Sequence, residues 1–252
     1  MNLFRQPLTI FLSCFVLLYC AAEVGNKLRQ RLGPVKEGQR GDFDVVLSAT
    51  LTLLGLLIAF TFSMAINRYD ERKAYEEAEA NAIGTEYLRA DLLPELDANR
   101  VRVLLKAYVE QRVLFYTTRD RARLDAIGSD TSKIQDSLWS SVRPRPETPI
   151  TPVTGLVIAG MNDVLNSQGY TQASWWNRIP RAAWILMGTI ATLCNLLIGV
   201  RASQLKTRRG LLLILPLILS VAFLLIADID SPRGGYIHVR PQNLLALSAT
   251  MH

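Results

Sequence analysis

A row of small and hydroxyl-bearing residues lies within a long apolar stretch in the first half of the chain. The row consists of Ser48, Thr52, Gly55, Ala59 and Ser63. Successive members are three or four residues apart, so an α-helix would place all of them on one face. Hydroxyl groups on such a face can replace part of an ion's hydration shell in a membrane pore. Small residues at this spacing also let two membrane helices approach closely, and the sequence favours this packing interpretation.

Three further polar residues interrupt or follow apolar stretches. Asn195 lies near the middle of one stretch, where an unpaired amide is costly, so we expect it to have a hydrogen-bond partner or to line a cavity. Asp228 and Asp230 follow the last stretch and could form an ion-attracting mouth. Two carboxylates without further oxygen ligands do not make a calcium loop, and the favoured interpretation is a solvated helix end paired with Arg233.

No catalytic or metal-binding set is recognisable in the sequence. Four glutamates that follow the second apolar stretch invite comparison with carboxylate-rich metal bundles: Glu76, Glu77, Glu79 and Glu86. Such bundles need Glu-x-x-His pairs, but the first histidine is His238, so a charged, solvated helix face is the favoured interpretation. The three cysteines lie in apolar stretches, and no phosphate-binding glycine loop occurs. We therefore predict no enzyme, cofactor or metal site.

The composition requires apolar and charged segments to be separated along the chain. Of the 252 residues, 50% are hydrophobic and 20% are charged. This is too apolar for an ordinary soluble domain and too charged for a chain that lies wholly in lipid. The formal net charge is +6. Much of this excess lies in two short loops between apolar stretches, so it does not indicate nucleic-acid binding.

Four apolar stretches approach or reach the length of a transmembrane helix: residues 8–24, 43–66, 182–200 and 211–227. A hydrocarbon core of about 30 Å needs about 20 helical residues. The first stretch also fits a cleavable signal peptide, but the basic loop after it favours a retained span. We therefore predict two spans in residues 1–66, two in 181–230 and a C-terminal tail in 231–252.

Two basic loops predict the orientation of the chain in the membrane. One holds Lys27, Arg29, Arg31, Lys36 and Arg40, and the other holds Arg201, Lys206, Arg208 and Arg209. With four spans both loops lie on one side, and short basic loops remain in the cytoplasm. Residues 67–180 and both termini are then predicted to be extracytoplasmic.

Residues 67–180 are predicted to form a water-exposed helical domain between spans two and three. Good helix formers follow Ile66 without Gly or Pro until Gly84, so the second span should continue into this domain as one helix. A second helix should start at Pro94 and end near Gly128, a shorter one should follow, and another should cover 153–166. Apolar residues at helical spacing predict that the second helix has one buried face, formed by Val101, Leu104, Leu105, Tyr108 and Phe115. An all-α membrane protein with a bundle of about four helices in this domain is therefore expected.

Three segments resemble the bacterial bestrophin-like proteins of unknown function. They are RYDERKAYEEAEANAIGTEYLRADLLP at 68–94, MNDVLNSQGYTQASWWNRIP at 161–180 and ADIDSPRGGYIHVRPQNL at 227–244. The resemblance implies distant similarity to bestrophins, which are pentameric anion channels with four spans per subunit and a helical domain between spans two and three. It also implies a cytoplasmic domain, the reverse of the orientation that the charged loops predict.

Two functional hypotheses follow. The first, favoured by the resemblance, is an oligomeric ion channel or passive ion pathway in a bacterial inner membrane. The second is a non-conducting membrane sensor or scaffold whose helical domain binds a partner, with its small-residue faces packed inside a monomer or dimer. The expected partners are the lipid bilayer, further copies of the chain and small inorganic ions.

Overall fold

The computed structural model describes residues 7–32, 37–144, 151–202 and 209–251, and these residues form eight α-helices. The helices are α1 (Pro7–Leu32), α2 (Glu37–Arg89), α3 (Glu95–Thr117), α4 (Arg121–Val142), α5 (Pro152–Trp176), α6 (Arg181–Ala202), α7 (Ile214–Asp230) and α8 (Gln242–Thr250). No strand occurs among the described residues, and the predicted all-α fold class is confirmed. Lys36, Lys206 and Arg208 of the basic loops lie outside the described residues, as does part of the connector before α5.

Within the part of the chain that the structure describes, three helical stretches are long and apolar enough to cross a membrane: Leu8–Arg31, Arg40–Leu92 and Pro152–Arg201. They contain the first three predicted spans. The fourth predicted span, 211–227, coincides largely with α7, which has 17 residues. This is slightly shorter than the length of about 20 residues that a bilayer core requires. The fourth span therefore stays a prediction.

The chain divides into two compact units. The first comprises Met1–Arg68 and Arg178–His238, and the second comprises Tyr69–Asn177 and Val239–His252. The division falls inside α2, which runs without interruption from Glu37 to Arg89, as the sequence predicts. Each unit has its own hydrophobic core.

Helices α1 and α6 of the first unit are in close contact at two glycines, one on each helix. Gly25 of α1 lies against the backbone carbonyl of Leu196, and Gly199 of α6 lies against that of Ala22. A side chain larger than hydrogen at either glycine would overlap the backbone of the other helix. This is the close contact that small residues permit between membrane helices.

Polar contacts mark the two ends of the first unit. At one end the guanidinium of Arg201 donates to Asp44 over 2.8 Å, so the end of α6 lies beside the start of α2. At the other end the backbone N–H of Ile179 donates to Asp230 over 3.2 Å, which places the start of α6 beside the end of α7. Helices α6 and α7 are therefore antiparallel. The end of α6 and the start of α2 therefore lie at the same end of this unit.

The second unit contains the rest of α2 with α3, α4, α5 and α8. Its core includes the apolar face predicted for α3, whose buried residues include Val101, Leu105, Tyr108 and Phe115. The predicted helix end at Gly128 is wrong, because α4 runs through that glycine. The break lies instead before Arg121, where the Asp120 carboxylate accepts the N–H of Arg123 over 2.9 Å and caps α4.

Two other helices of this unit differ from the sequence prediction. Helix α5 continues to Trp176, ten residues beyond the predicted end at residue 166, and begins at a capping box formed by Thr151 and Thr154. The C-terminal tail contains α8, a helix that was not predicted from the sequence. The side chain of Leu244 in α8 is fully buried in the core of the second unit.

Candidate functional site

The small polar face predicted on the second span lies on the outside of the chain. All five residues of this α2 face are exposed: Ser48, Thr52, Gly55, Ala59 and Ser63. The opposite side of the same helix supplies Leu54, Thr61 and Ala65 to the buried interior. Helix α2 therefore contacts the rest of the first unit through these three residues. It leaves its small polar face uncovered, together with apolar residues such as Leu56 and Phe60.

The surroundings of Gly55 and Thr52 show how open this α2 face is. A Cβ atom added at Gly55 would meet no atom within 4 Å. The Thr52 hydroxyl donates to the backbone carbonyl of Ser48 over 2.9 Å, so its lone pairs rather than its proton point outward. In this rotamer the hydroxyl can accept from water or contact a cation, and it must turn to donate to an anion. The five residues are thus available to a pore or to another copy, and they do not serve packing within the chain.

Asn195 is fully buried in α6, and only part of its amide has a partner. Its Nδ2 donates to the carbonyl of Ala191 over 2.8 Å, within the same helix. Its Oδ1 is buried without a hydrogen bond in the described chain. The expected partner is therefore found for the donor side of the amide and not for the acceptor side. An unsatisfied amide oxygen at this depth costs free energy.

Asp228 and Asp230 are buried, with exposed fractions of 4% and 7%. Interpreting them as a solvated helix end is wrong, because both carboxylates bind backbone N–H groups. Asp228 accepts from Tyr236 and Ile237, each over 2.8 Å. Asp230 accepts from Ile179, as described above. The Asp228 carboxylate thus stabilises the turn after α7, and the Asp230 carboxylate connects the end of α7 to the residues just before α6.

Two further contacts surround Asp228 and Asp230, one with a positive charge and one with a glycine that no larger residue could replace without overlap. Arg68 of α2 has its Nη1 atom 4.0 Å from Asp230, which supplies a positive charge at this buried carboxylate. A side chain at Gly235 would overlap the backbone and carboxylate of Asp228. Among the described residues, no group of three potential metal ligands occurs. The proposed ion-mouth residues therefore already have protein partners.

Three of the four glutamates predicted to be solvated are buried in the second unit. Glu77 is exposed as expected, but Glu76, Glu79 and Glu86 have exposed fractions of 1% or less. The prediction of a solvated face is wrong because these three positions face the same core as Ile83. Steps of three, four and three residues place Glu76, Glu79, Ile83 and Glu86 on one side of α2.

Glu79 is the centre of a buried polar network. It forms an ion pair with Arg112 of α3 and accepts the hydroxyl of Thr171 of α5 over 3.0 Å. The Tyr116 hydroxyl donates to the same carboxylate over 3.4 Å. The guanidinium of Arg112 also lies over the ring of Phe115, 4.5 Å from the ring centre. This network joins three helices through one carboxylate.

Electrostatics fixes the ionisation state of the network. Burial is the largest effect on the pKa of Arg112 and would lower it, but the charge of Glu79, the hydrogen bond to Glu79 and the neighbouring tyrosines together outweigh burial, and the pKa is raised. Burial raises the pKa of Tyr116 strongly, and the charge of Glu79 raises it further. Arg112 therefore stays charged and Tyr116 stays neutral at physiological pH.

Glu76 binds the C-terminal helix of the second unit. Its carboxylate accepts the amide of Asn243 over 2.6 Å and the backbone N–H of Leu244 over 3.0 Å. The second bond satisfies an otherwise free N–H in the first turn of α8 and places a negative charge at the helix N-terminus. Glu76 thus holds α8 against α2.

The sequence contains one signal for the Glu79 network. Arg112 lies on the apolar face of α3 at the same spacing as Tyr108 and Phe115. A cation on a face that must be buried requires a buried anion nearby. The glutamates of α2 are the residues that could supply this anion.

Comparison with known families agrees with this architecture. A family model described as the bestrophin-like domain matches residues 41–244 of the chain. The match covers most of the 252 residues. The chain belongs to the bestrophin-like family. The predicted resemblance is thereby confirmed.

Solved structures of a bacterial bestrophin homologue from Klebsiella pneumoniae have a similar fold. Two mutant forms are 15% identical to this bestrophin-like chain, each with a TM-score of 0.66. The alignments cover 97% of this chain and 97% and 96% of the two homologue chains. A third mutant form is 14% identical, with a TM-score of 0.69 and 97% of both chains covered. At these identities the likeness shows a shared fold. No curated protein matches the chain.

Proposed function

We propose that this bestrophin-like protein is an oligomeric ion channel or passive ion pathway in which the small polar α2 face lines the route of the ions. The observation that carries the proposal is the exposure of all five residues of that face, on a helix that buries Leu54, Thr61 and Ala65 on another side. Within a bilayer, small and hydroxyl-bearing residues are typical of surfaces that face water or a neighbouring helix. The resemblance to bestrophin anion channels favours anions as the permeating ions.

An oligomer is needed because one chain does not enclose this face. The five residues form an open surface, with no atom of the described chain near the missing side chain of Gly55. Further copies arranged around a common axis would enclose it. The alternative of a monomeric sensor or scaffold predicts that the face is packed inside the chain, and its exposure counts against that form.

The proposed membrane layout has four spans per subunit, with α7 as the fourth. In its favour, α7 and the turn Arg209–Leu213 lie between the two ends of the first unit. The preceding helix α6 ends beside Asp44, and α7 ends beside Ile179. Exposed apolar side chains such as Ile218 and Val221 give α7 a surface suited to lipid.

The proposed orientation places both basic loops in the cytoplasm of a bacterial inner membrane and residues 67–180 outside. Two arguments oppose it. The family resemblance implies a cytoplasmic domain, and Arg201 of one basic loop is already paired with Asp44 within the first unit. This pairing reduces the net positive charge on which the orientation depends.

The arrangement of subunits tests the channel proposal directly. The full-length protein, purified in detergent or nanodiscs and imaged by electron cryo-microscopy, should form a ring with the α2 helices around its axis. The residues Ser48 and Ser63 should then border a central opening. A monomer, or a dimer with the α2 faces packed dry against each other, would overturn the proposal and favour the scaffold hypothesis.

A further inference from the structure

Glu86 is a buried carboxyl group that no described donor satisfies. It lies in the last turn of α2, within the second unit, and its exposed fraction is 0%. Neither carboxyl oxygen has a hydrogen-bond partner in the described chain. Glu76 and Glu79 on the same helix face both have such partners. Glu86 is therefore the exception among the three buried glutamates.

The carboxyl group of Glu86 lies directly over Gly160 of α5. A Cβ atom added to Gly160 would overlap both this carboxyl group and the guanidinium of Arg89. The absence of a side chain at Gly160 thus provides the space that Glu86 occupies. Helices α2 and α5 are in direct contact at this site. The carboxyl oxygens of Glu86 have no accessible surface, so there is no room for the hydration shell of an ion.

The charges around Glu86 do not stabilise an ionised carboxylate fully. Arg89 is the nearby cation, with its Nη1 atom 3.9 Å from Glu86 Oε2, too far for a hydrogen bond. Its side chain is 27% exposed, so water weakens its effect. Asp163 of α5 adds a negative charge that opposes ionisation. On the turn after α2, Asp91 is already paired with Arg102 of α3, and α8 contributes no charged side chain.

We propose that Glu86 is a proton-binding site, neutral when α5 is packed on α2 at Gly160, and that proton release weakens this packing. A neutral carboxyl group fits a dry contact, whereas an ionised one without donors is strongly disfavoured there. Loss of the proton should draw water or the Arg89 guanidinium toward the carboxylate. Either movement separates atoms that are in contact around Gly160. The site goes beyond ion conduction and would operate whether or not the protein is a channel.

The pKa of Glu86 supports this geometry. Burial raises it from an ordinary value of 4.5 to about 8, with Arg89 lowering it and Asp163 raising it. The folded protein then binds a proton that the unfolded chain has lost throughout the interval between these values. Stability from the neutral Glu86 is complete below pH 4.5 and is lost as the pH rises to about 8. In that interval the folding equilibrium constant should fall by about tenfold per pH unit from this group alone.

Thermal and chemical unfolding of the full-length protein in nanodiscs, from about pH 5 to about pH 9, tests the proposal. The difference between wild type and Glu86→Gln isolates the contribution of this carboxyl group, because Gln is neutral at every pH. Wild-type stability should fall relative to Glu86→Gln between about pH 5 and 8 and run parallel to it above. Glu77→Gln, at an exposed glutamate of the same helix, is the matched control and should follow wild type. Parallel profiles for wild type and Glu86→Gln would overturn the proposal.

Infrared spectroscopy of the wild-type protein provides a test that does not depend on a variant folding. A buried, protonated carboxyl group has a C=O stretch distinct from that of a carboxylate. This band should be present at neutral pH and disappear as the pH is raised through about 8. Absence of a protonated carboxyl band at neutral pH would also overturn the assignment.

Discussion

Glu79 of α2 and Arg112 of α3 form an ion pair in the interior of the second unit, where their side chains are 0% and 2% exposed. Thr171 and Tyr116 complete the hydrogen bonding of the same carboxylate. Removing one partner of such a pair leaves an uncompensated buried charge, which is more costly than losing the attraction itself. The pair therefore fixes the packing of α2 on α3.

Breaking this pair should destabilise the protein strongly. We expect Arg112→Met to lower the free energy of unfolding by about 3–5 kcal/mol. The double variant Glu79→Gln with Arg112→Met should lose less than the sum of the single variants, since neither charge remains. Denaturant unfolding of the four proteins of this cycle measures the difference.

An exposed pair provides the control for this prediction. Lys133 and Asp130 are 2.9 Å apart on α4, with side chains 72% and 53% exposed. Lys133→Met should change stability by less than about 1 kcal/mol. Equal losses of unfolding free energy in Arg112→Met and Lys133→Met would contradict the structural role assigned to the buried pair.

The contact between α1 and α6 should be sensitive to a single methyl group. Gly199→Ala adds a Cβ atom against the backbone of α1, and we expect a loss of about 1–3 kcal/mol in unfolding free energy. Gly188→Ala on the same helix adds its Cβ atom to open space and should be neutral or slightly stabilising. Unfolding of both variants in mixed micelles would measure the contrast. If Gly188→Ala lowered the unfolding free energy more than Gly199→Ala, the close contact at Gly199 would not explain the loss of stability.

The Asp228 carboxylate should hold the turn after α7 in place. In Asp228→Ala the N–H groups of Tyr236 and Ile237 lose their acceptor, so their amide hydrogens should exchange faster with solvent. Each unsatisfied group costs about 1–3 kcal/mol if it remains buried. Asp228→Asn keeps one acceptor and should be intermediate, whereas Asp125→Ala, at an exposed position of α4, should leave these amides unchanged. Unaltered exchange in Asp228→Ala would show that the turn does not depend on this carboxylate.

Reporter fusions should determine the side of the membrane on which residues 67–180 lie. A reporter that is active only outside the cytoplasm should be silent when fused after Arg40 and active when fused near Asp125, if the charged loops set the orientation. The reverse pattern would give the orientation that the family resemblance implies. Activity of both fusions in one compartment would contradict the predicted crossing between these two points.

The apolar stretches and their periodicity predicted much of the architecture. The continuous helix α2 and the buried face of α3 followed from uninterrupted helix formers and from apolar residues three and four apart. Helix ends were harder to predict. Gly128 costs α4 about 1 kcal/mol relative to alanine, but the Asp120 cap and the packing of Ile127 and Leu138 outweigh that preference.

The sites were predicted less well than the helices, because their partners are distant in sequence. Asp230 accepts from Ile179, and Glu76 accepts from Leu244, across separations that spacing alone does not reveal. Charged residues were assigned to solvent by type, and only the fold supplies the donors that make their burial favourable. The burial of Asn195 could be predicted from the sequence, because this residue lies deep within an apolar stretch.

Ion flux into liposomes that contain the purified full-length protein is the decisive measurement for an ion pathway along the α2 face. We predict flux of small inorganic ions, chloride among them, through the wild-type protein and through Ile185→Trp, which enlarges an exposed apolar residue of α6. Gly55→Trp, whose side chain enters the open space beside the α2 face, should reduce the flux by at least about tenfold through an apolar constriction. No flux of any anion or cation through the wild-type protein, or undiminished flux through Gly55→Trp, would contradict the assignment of this face to an ion pathway.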